Sequence, residues 1–215
     1  MGNKKKPRIR TIEDCKEIIN AIYAFKETVD PIDNRASNKL AFLLGEYEVL
    51  KRVLGIYPNA EHYGGQGHCD IIVTNPHIEI EVKTSTYKPS RAYIGLDNWG
   101  WTVETVKQQE KRKENEKPRF DYVIAVALDN ETWKNPEFFI IPWKEAIKNN
   151  RERPIKGLSN IKMRIELFKN EYDLNTAQKN TQGTNDPDMS PTNLEELLVK
   201  TPQQFQNWDV LSRKG

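Results

Sequence analysis

GHCDIIV at Gly67–Val73 and IEIEVK at Ile78–Lys83 are two short apolar runs on either side of the polar segment TNPH. The polar segment contains turn-forming residues, so the two runs are predicted to be the strands of a β-hairpin. Apolar and charged residues alternate along the second run, and a strand therefore places Glu79, Glu81 and Lys83 on one face. The sequence predicts a charged patch on an otherwise apolar hairpin.

The residues of this patch are suited to binding a divalent metal ion. Asp70 opens the first strand, so the hairpin brings the carboxylates of Asp70 and Glu81 close to the ammonium group of Lys83. Hard divalent cations prefer carboxylate oxygens, and a nearby lysine can hold a water nucleophile or stabilise developing negative charge. The alternative interpretation is a solvated strand face, because charged residues also alternate on many half-buried strands.

The spacing Asp70-x(10)-Glu81-Val82-Lys83, with GGQG before it and an acidic helix upstream, resembles the PD-(D/E)xK nuclease superfamily, which has the restriction-endonuclease-like fold. Cys69 stands where the pattern that names the superfamily has proline. The resemblance covers about residues 37–142 and implies a Mg²⁺-dependent phosphodiesterase, in which Mn²⁺ can substitute. It implies that Asp70 and Glu81 bind the metal, that Lys83 is the catalytic lysine, and that the products carry 5′-phosphate ends.

The acidic helix is predicted from Ser37 to Gly55 and contains two glutamates. Helical spacing places Glu46 at the edge of the buried face and Glu48 on the solvent side, near Lys51. Superfamily members often supply one more acidic ligand from this helix, and Glu46 is our choice for that metal-binding and catalytic role. The alternative for Glu46 is a helix-edge glutamate that reaches water.

The predicted elements form one α/β core with additions. In chain order they are helix Thr11–Lys26, the acidic helix, strand Ile56–His62, the two hairpin strands, an irregular aromatic segment Tyr87–Trp101, polar helix Thr102–Glu116, and strands Tyr122–Leu128, Phe138–Ile141 and Ile161–Leu167. This order matches the αβββαβ core of the superfamily, a mixed central sheet flanked by helices. An N-terminal helix precedes the core, and a C-terminal helical extension follows it.

The predicted domain organisation has four parts: a basic flexible arm at 1–10, a nuclease domain at 11–170, a polar linker at 171–191 and a helical extension at 192–215. The extension contains two capping boxes, TNLE and TPQQ, which predict two short helices. Their apolar faces can cap the chain's own core or pair with a second subunit, and the sequence leaves both open.

Several further residues are candidates for contact with a nucleic acid. Basic side chains attract phosphates, and glutamines after the site strands can orient a water or touch the scissile phosphate. The DNA-binding candidates are Lys4, Lys5, Lys6, Arg8, Arg10, Lys111 and Arg112. A further basic group consists of Arg151, Arg153, Lys156, Lys162 and Arg164. The supporting candidates are Gln108 and Gln109. The alternatives are solubilising charge and surface glutamines. Trp99 and Trp101 can stack on bases, but an anchoring role in the core is favoured.

Composition limits the class of protein. The chain has 215 residues, a net charge of +2 and two cysteines. It has no apolar run that would cross a membrane and no disulfide framework, so a cytoplasmic location is expected. The zinc-ligand spacing is also missing, so a structural zinc is not expected. For a DNA nuclease the expected location is nucleoid-associated. The resemblance implies a Mg²⁺-dependent endonuclease of double-stranded DNA. The extensions beyond the minimal core favour a type II restriction-type enzyme, and cutting both strands with one site per chain favours a homodimer. The alternatives are a Holliday-junction resolvase or other structure-specific nuclease, and a non-catalytic nucleic-acid-binding module.

Overall fold

The computed structural model describes residues 8–9, 11–29, 34–63, 69–89, 97–105, 120–143, 151–153, 162–167 and 206–212. The helices are α1 (Ile12–Val29), α2 (Asn34–Ile56) and α3 (Asp209–Ser212). The strands are β1 (Arg8–Ile9), β2 (Ala60–His62), β3 (Ile71–Val73), β4 (Ile78–Thr86), β5 (Lys88–Pro89), β6 (Asp97–Thr105), β7 (Tyr122–Leu128), β8 (Glu137–Pro142), β9 (Arg151–Arg153) and β10 (Lys162–Leu167).

Six strands form one mixed sheet in the order β1-β2-β3-β4-β7-β8. β4 and β7 run parallel, with Ile80 opposite Tyr122 and Thr86 opposite Leu128, and the other neighbouring pairs are antiparallel. Parallel neighbours need a crossover connection, and residues 106–119 of that connection lie outside the described part of the chain. The predicted α/β class with a mixed sheet is confirmed, and the finer αβββαβ assignment stays a prediction.

Two local predictions between β4 and β7 are wrong. Residues 102–105, predicted to begin a helix, are the end of β6, and residues 97–101, predicted to be irregular, are its start. The sequence DNWGWTVET alternates tryptophan with smaller residues and ends in β-branched residues, a pattern that fits a strand once both tryptophans have a sheet to pack on. The remainder of the predicted helix lies outside the described residues.

The helices cover one face of the main sheet. Ile78, Ile80 and Val82 of β4 are buried against α1 and α2, whereas the residues between them are only partly buried. β7 is buried along its whole length, because its even-numbered residues join the helix-side core and Val123 and Ala125 join an aromatic cluster on the other face. Burying one such aliphatic side chain contributes about 1.5–3 kcal/mol. The hairpin strand and the buried strand predicted from the sequence are therefore confirmed.

α2 crosses β4 at unusually close range. A Cβ atom added to Gly45 would lie 1.8 Å from Thr84 Oγ1, so only glycine allows the helix to approach the strand this closely. α2 begins at Asn34 rather than at the predicted N-cap Ser37, and Gly55 lies within the helix rather than after it. The close crossing fixes the height of the following residue, Glu46, over the sheet.

A smaller sheet, β5-β6-β10-β9, lies on the face of the main sheet opposite the helices. Two buried tryptophans of β6 hold it there. The Trp99 indole N–H donates to Leu128 O at 2.8 Å, and that of Trp101 donates to Val126 O at 3.1 Å. Both side chains are therefore anchors to β7, as favoured from the sequence, and neither is available for stacking on bases.

The C-terminal segment packs on the chain's own core. Leu211 is fully buried, and its carbonyl accepts a hydrogen bond from the Tyr57 hydroxyl at 2.8 Å. The ring of Trp208 stands 5.6 Å from that of Phe138. The described part of the predicted second helix is one turn, Asp209–Ser212, and the first predicted helix lies outside the described residues. Of the two options left open by the sequence, this segment takes the first.

The predicted basic arm is in part a strand. Arg8 and Ile9 pair with His62 and Glu61 at the edge of the main sheet, because β2 would otherwise leave its outer backbone groups unpaired. The rest of the arm lies outside the described residues. Among the described helices, none combines the length and apolarity needed to cross a membrane.

Candidate metal and catalytic site

The candidate site lies at the point where the pairing of β3 with β4 ends. The pairing of the two strands ends at Ile71 opposite Ile80, and Asp70 N donates to Ile80 O at 3.1 Å. β4 continues beyond this point, and Val82 N donates to the Asp70 Oδ2 atom at 2.8 Å. The carboxylate thus takes the position of the next strand carbonyl. This hydrogen bond holds Asp70 beside the stretch of β4 that contains Glu81.

Glu81 and Lys83 occupy the same face of β4, as the alternation predicted. The Lys83 Nζ atom is in direct contact with Glu81 Oε1, and the two side chains are 29% and 13% exposed. Glu79 is on this face too, but its carboxylate is 3.4 Å from His77 in the turn, at the far end of the strand. The face is therefore partly covered rather than freely solvated.

The carboxylates of the site repel one another. Burial raises the pKa of Asp70 to about 6, and the charges of Glu81 and Glu46 act in the same direction. The hydrogen bond from Val82 N and the charge of Lys83 lower the pKa by less. We call Glu46, Asp70, Glu81 and Lys83 together the notch. Its negative charge is only partly compensated by protein groups, which is the condition that favours a bound cation.

Glu46 reaches the notch from α2 and has a partner that the sequence analysis missed. His62 Nε2 lies 2.7 Å from Glu46 Oε2, and the imidazole is 9% exposed. The ring of Tyr47 stands 5.0 Å from the imidazole. His62 is on β2 and Glu46 on a helix, so their contact depends on how α2 packs on the sheet. No spacing in the sequence signals such a contact.

Glu48 does not lie on the solvent side, and that prediction is wrong. Only 5% of the residue is exposed, and its carboxylate pairs with Lys51 at 2.5 Å, one helical turn further on. Helical spacing alone misplaced it because α1 packs along that side of α2 and covers it. Its charge acts on Tyr23 of α1, whose pKa is raised to about 12 by burial and by Glu48. Glu48 therefore faces away from the notch.

The donor set of the notch fits Mg²⁺ better than zinc. Within the described residues, no group of three or more His, Cys, Asp or Glu side chains is arranged to hold a metal ion. Mg²⁺ needs fewer, since it keeps several waters and is held by one or two carboxylates together with substrate phosphates. Asp70 and Glu81 are the two carboxylates that would hold Mg²⁺ in this way, and that role stays a prediction. The Glu46 carboxylate pairs with His62, and its role as a third ligand stays a prediction.

Cys69 borders the notch without adding a thiolate to it. Burial raises the pKa of the Cys69 thiol to about 12, and the charges of Glu79, Asp70 and Glu81 contribute in that order. The thiol is therefore protonated at neutral pH and donates a hydrogen bond to Ile71 O at 3.5 Å. A protonated, buried thiol is neither a good metal ligand nor a nucleophile.

The remaining predicted contacts lie outside the described residues or are described only as backbone. The supporting and DNA-binding candidates outside are Gln108, Gln109, Lys111, Arg112, Lys4, Lys5, Lys6 and Arg10. Arg8 is described only by its place in β1.

No protein-family model matches this chain, and no curated protein matches it in sequence. The resemblance to the nuclease superfamily therefore rests on the sequence motif alone.

Proposed function

We propose that the protein is a Mg²⁺-dependent endonuclease of double-stranded DNA. The observation that carries the proposal is the hydrogen bond from Val82 N to Asp70, which holds that carboxylate beside the Glu81–Lys83 pair. A structural ion pair needs one carboxylate and one ammonium. The second carboxylate, that of Asp70, is partly buried beside Glu81, and its negative charge opposes folding. A divalent cation that also binds a phosphate would compensate this charge.

In the proposed reaction Asp70 and Glu81 hold the metal ion. Lys83 contacts Glu81, so its ammonium group would lie next to a phosphate held by that metal ion, where it would stabilise negative charge or orient the attacking water. When bound, Mg²⁺ supplies a water of lowered pKa and polarises the phosphoryl group. Val82 N–H keeps the Asp70 carboxylate in place, and the Glu46–His62 pair supports the helix side of the notch.

Cleavage of both strands of a duplex by such a site takes two copies of it, so the proposal includes a homodimer. Among DNA nucleases we propose a restriction-type enzyme that acts in the cytoplasm, associated with the nucleoid. Mn²⁺ is expected to replace Mg²⁺. Ca²⁺ takes more ligands in a looser geometry and is expected to support DNA binding without efficient cleavage.

The test is cleavage of supercoiled plasmid, linear duplex and a four-way junction, each in Mg²⁺, Mn²⁺, Ca²⁺ and excess EDTA. Wild-type protein should cut duplex DNA with Mg²⁺ or Mn²⁺ only, and Glu81→Gln should not cut it. Cleavage of the junction alone would make the protein a structure-specific nuclease. Cleavage in EDTA, or equal cleavage by Glu81→Gln, would refute the metal site. Light scattering with and without DNA measures the molar mass, and the proposal predicts the mass of a dimer.

A further inference from the structure

The small sheet carries an array of basic residues that strand pairing brings together. Arg151 is paired directly with Arg164, and Arg153 is paired directly with Lys162. Directly paired residues share a face of a sheet, as do residues two apart on one strand. All four positions therefore lie on one face, in two adjacent rows. We call them the basic quartet.

The third strand adds no negative charge to these rows. β6 places Thr102 opposite Arg164 and, after an irregularity in the register that skips Val103, Thr105 opposite Lys162, so the described rows read Thr-Arg-Arg and Thr-Lys-Arg. The next row on the same face holds Glu166 opposite Gly100. Counting that glutamate, these three rows carry four positive charges and one negative charge.

The acidic residues concentrate on the other face of the same sheet. Met163 is flanked by Glu104 and Glu152, and the next row pairs Ile165 with Trp101. Trp101 is buried against β7, so this second face is the one turned toward the main sheet. The basic quartet is consequently on the face turned away from it. The segregation of charge between the two faces is nearly complete.

The quartet also has a direct connection to the notch. Gly100 N donates to Ser85 Oγ at 3.1 Å, and Ser85 is two residues beyond Lys83 on β4. The nearer row of the quartet is two residues along β6 from Gly100. At about 3.3 Å per residue, each of these steps is about 7 Å along a strand. The quartet is thus two such steps from Lys83 along the strands, on the outer face of the small sheet, and a polyanion longer than these steps can extend from the notch to it.

Like charges placed directly opposite one another destabilise a pair of strands. The small sheet has two such pairs in adjacent rows, an arrangement that an anionic ligand would relieve. Three of the four residues are arginines, whose planar guanidinium groups bind phosphate oxygens in pairs. We propose that the basic quartet binds backbone phosphates of the nucleic acid on which the notch acts. This inference rests on the proposed function for the identity of the polyanion.

The test measures duplex binding by fluorescence anisotropy in Ca²⁺ over a range of salt concentrations. The variants are Arg151→Gln with Arg164→Gln, and Arg153→Gln with Lys162→Gln. The matched control is Lys16→Gln with Lys39→Gln, which removes the same charge from exposed positions on α1 and α2. Each quartet variant should lower the slope of log affinity against log salt by about 1.8, since each lost phosphate contact removes about 0.9.

The control variant should keep the wild-type slope, and Glu166→Gln should bind DNA more tightly. A charge-retaining variant, Arg151→Lys with Arg164→Lys, should restore most of the slope. Thermal unfolding at low salt supplies a second readout, because removing the repulsion should leave the Gln variants at least as stable as wild type.

The outcomes separate this inference from the proposed function. Quartet variants with the wild-type slope overturn the inference even if the protein cleaves DNA. Wild-type protein that binds no DNA also overturns it. Quartet-dependent binding without cleavage in any metal refutes the nuclease and leaves the quartet a phosphate-binding surface.

Discussion

Glu46 and Glu48 are two residues apart on α2 and belong to two different regions. Glu46 is in the notch, paired with His62 from sixteen residues away in the chain. Glu48 borders an open groove of about 600 Å³ on the other side of the helix, paired with Lys51 one turn further on. The groove is lined by Tyr23, Glu48, Lys51, Arg52, Lys134, Asn135 and Pro136.

The difference shows that burial does not by itself identify a functional carboxylate. Glu48 is the more buried of the two, but a cation on its own helix compensates its charge. Glu46 is more exposed, yet its charge adds to that of Glu81 in raising the pKa of Asp70. The notch gathers negative charge from three separate segments of the chain, whereas the charge of Glu48 is compensated by Lys51 on its own helix. Uncompensated negative charge of this kind favours the binding of a metal ion.

The largest expected effect is on catalysis. Lys83→Ala should lower the single-turnover cleavage rate by about a hundredfold or more, the scale of a positioned acid–base or electrostatic group. Glu79→Ala, on the same face but beside the turn, should have a much milder effect. Circular dichroism and DNA binding in Ca²⁺ check that both variants fold. Equal, small losses would mean that the face is only a strand surface.

A second effect concerns the packing that carries Glu46 to the notch. Gly45→Ala places a methyl group against Thr84 and should lower the free energy of unfolding by about 1–3 kcal/mol, as overpacking does. Gly55→Ala is the matched control, because a Cβ there meets nothing within 4 Å. It should leave stability unchanged or raise it by about 1 kcal/mol, the helix propensity difference. Urea denaturation decides, and similar losses in both would contradict the close crossing.

A third effect tests the repulsion in the notch by pH. Because the pKa of folded Asp70 is about 6 and its ordinary value is 3.8, ionisation of this group opposes folding. The contribution of the protonated carboxyl is complete below pH 3.8 and is lost as pH rises through 6. In EDTA, wild type should therefore lose about 2 kcal/mol relative to Asp70→Asn between about pH 4 and pH 8.

Urea denaturation of both proteins at each pH provides the measurement. A constant difference between them would show that Asp70 is not strained by its neighbours. Glu48→Gln removes the carboxylate charge that borders the groove and is compared with Asp70→Asn. It should lower stability, because Lys51 then lacks its carboxylate partner.

The smallest expected effect separates the partners of the two glutamates. His62→Gln should lower the cleavage rate by about tenfold, because Glu46 then loses the partner that fixes its carboxylate beside the notch; this is the lower end of the effect of residues that orient a metal site. Lys51→Gln should lower stability but leave the cleavage rate unchanged, because Glu48 does not face the notch. Cleavage at saturating Mg²⁺ and thermal unfolding distinguish the two variants. A loss of cleavage in Lys51→Gln would show that the regions are coupled.

Local periodicity was enough to predict the elements next to the notch. The alternation in IEIEVK placed Glu81 and Lys83 on one face, and the continuous apolar run at Tyr122–Leu128 predicted a strand covered on both sides. Each prediction depends on residues one or two positions apart in an extended chain, so the side-chain direction follows from backbone geometry alone. The position of Asp70 at the start of the first hairpin strand was also predicted from the sequence.

Contacts between distant segments decided everything else. The solvent-side assignment of Glu48 failed because α1 covers that side of α2, and the strand at Asp97–Thr105 exists because Trp99 and Trp101 bond to β7. The partnership of His62 with Glu46 and the pairing that assembles the basic quartet have the same origin. Spacing along the chain determines which residues share a face of one element. Which faces then meet depends on helix packing and strand register, and those are set only when the whole core is buried.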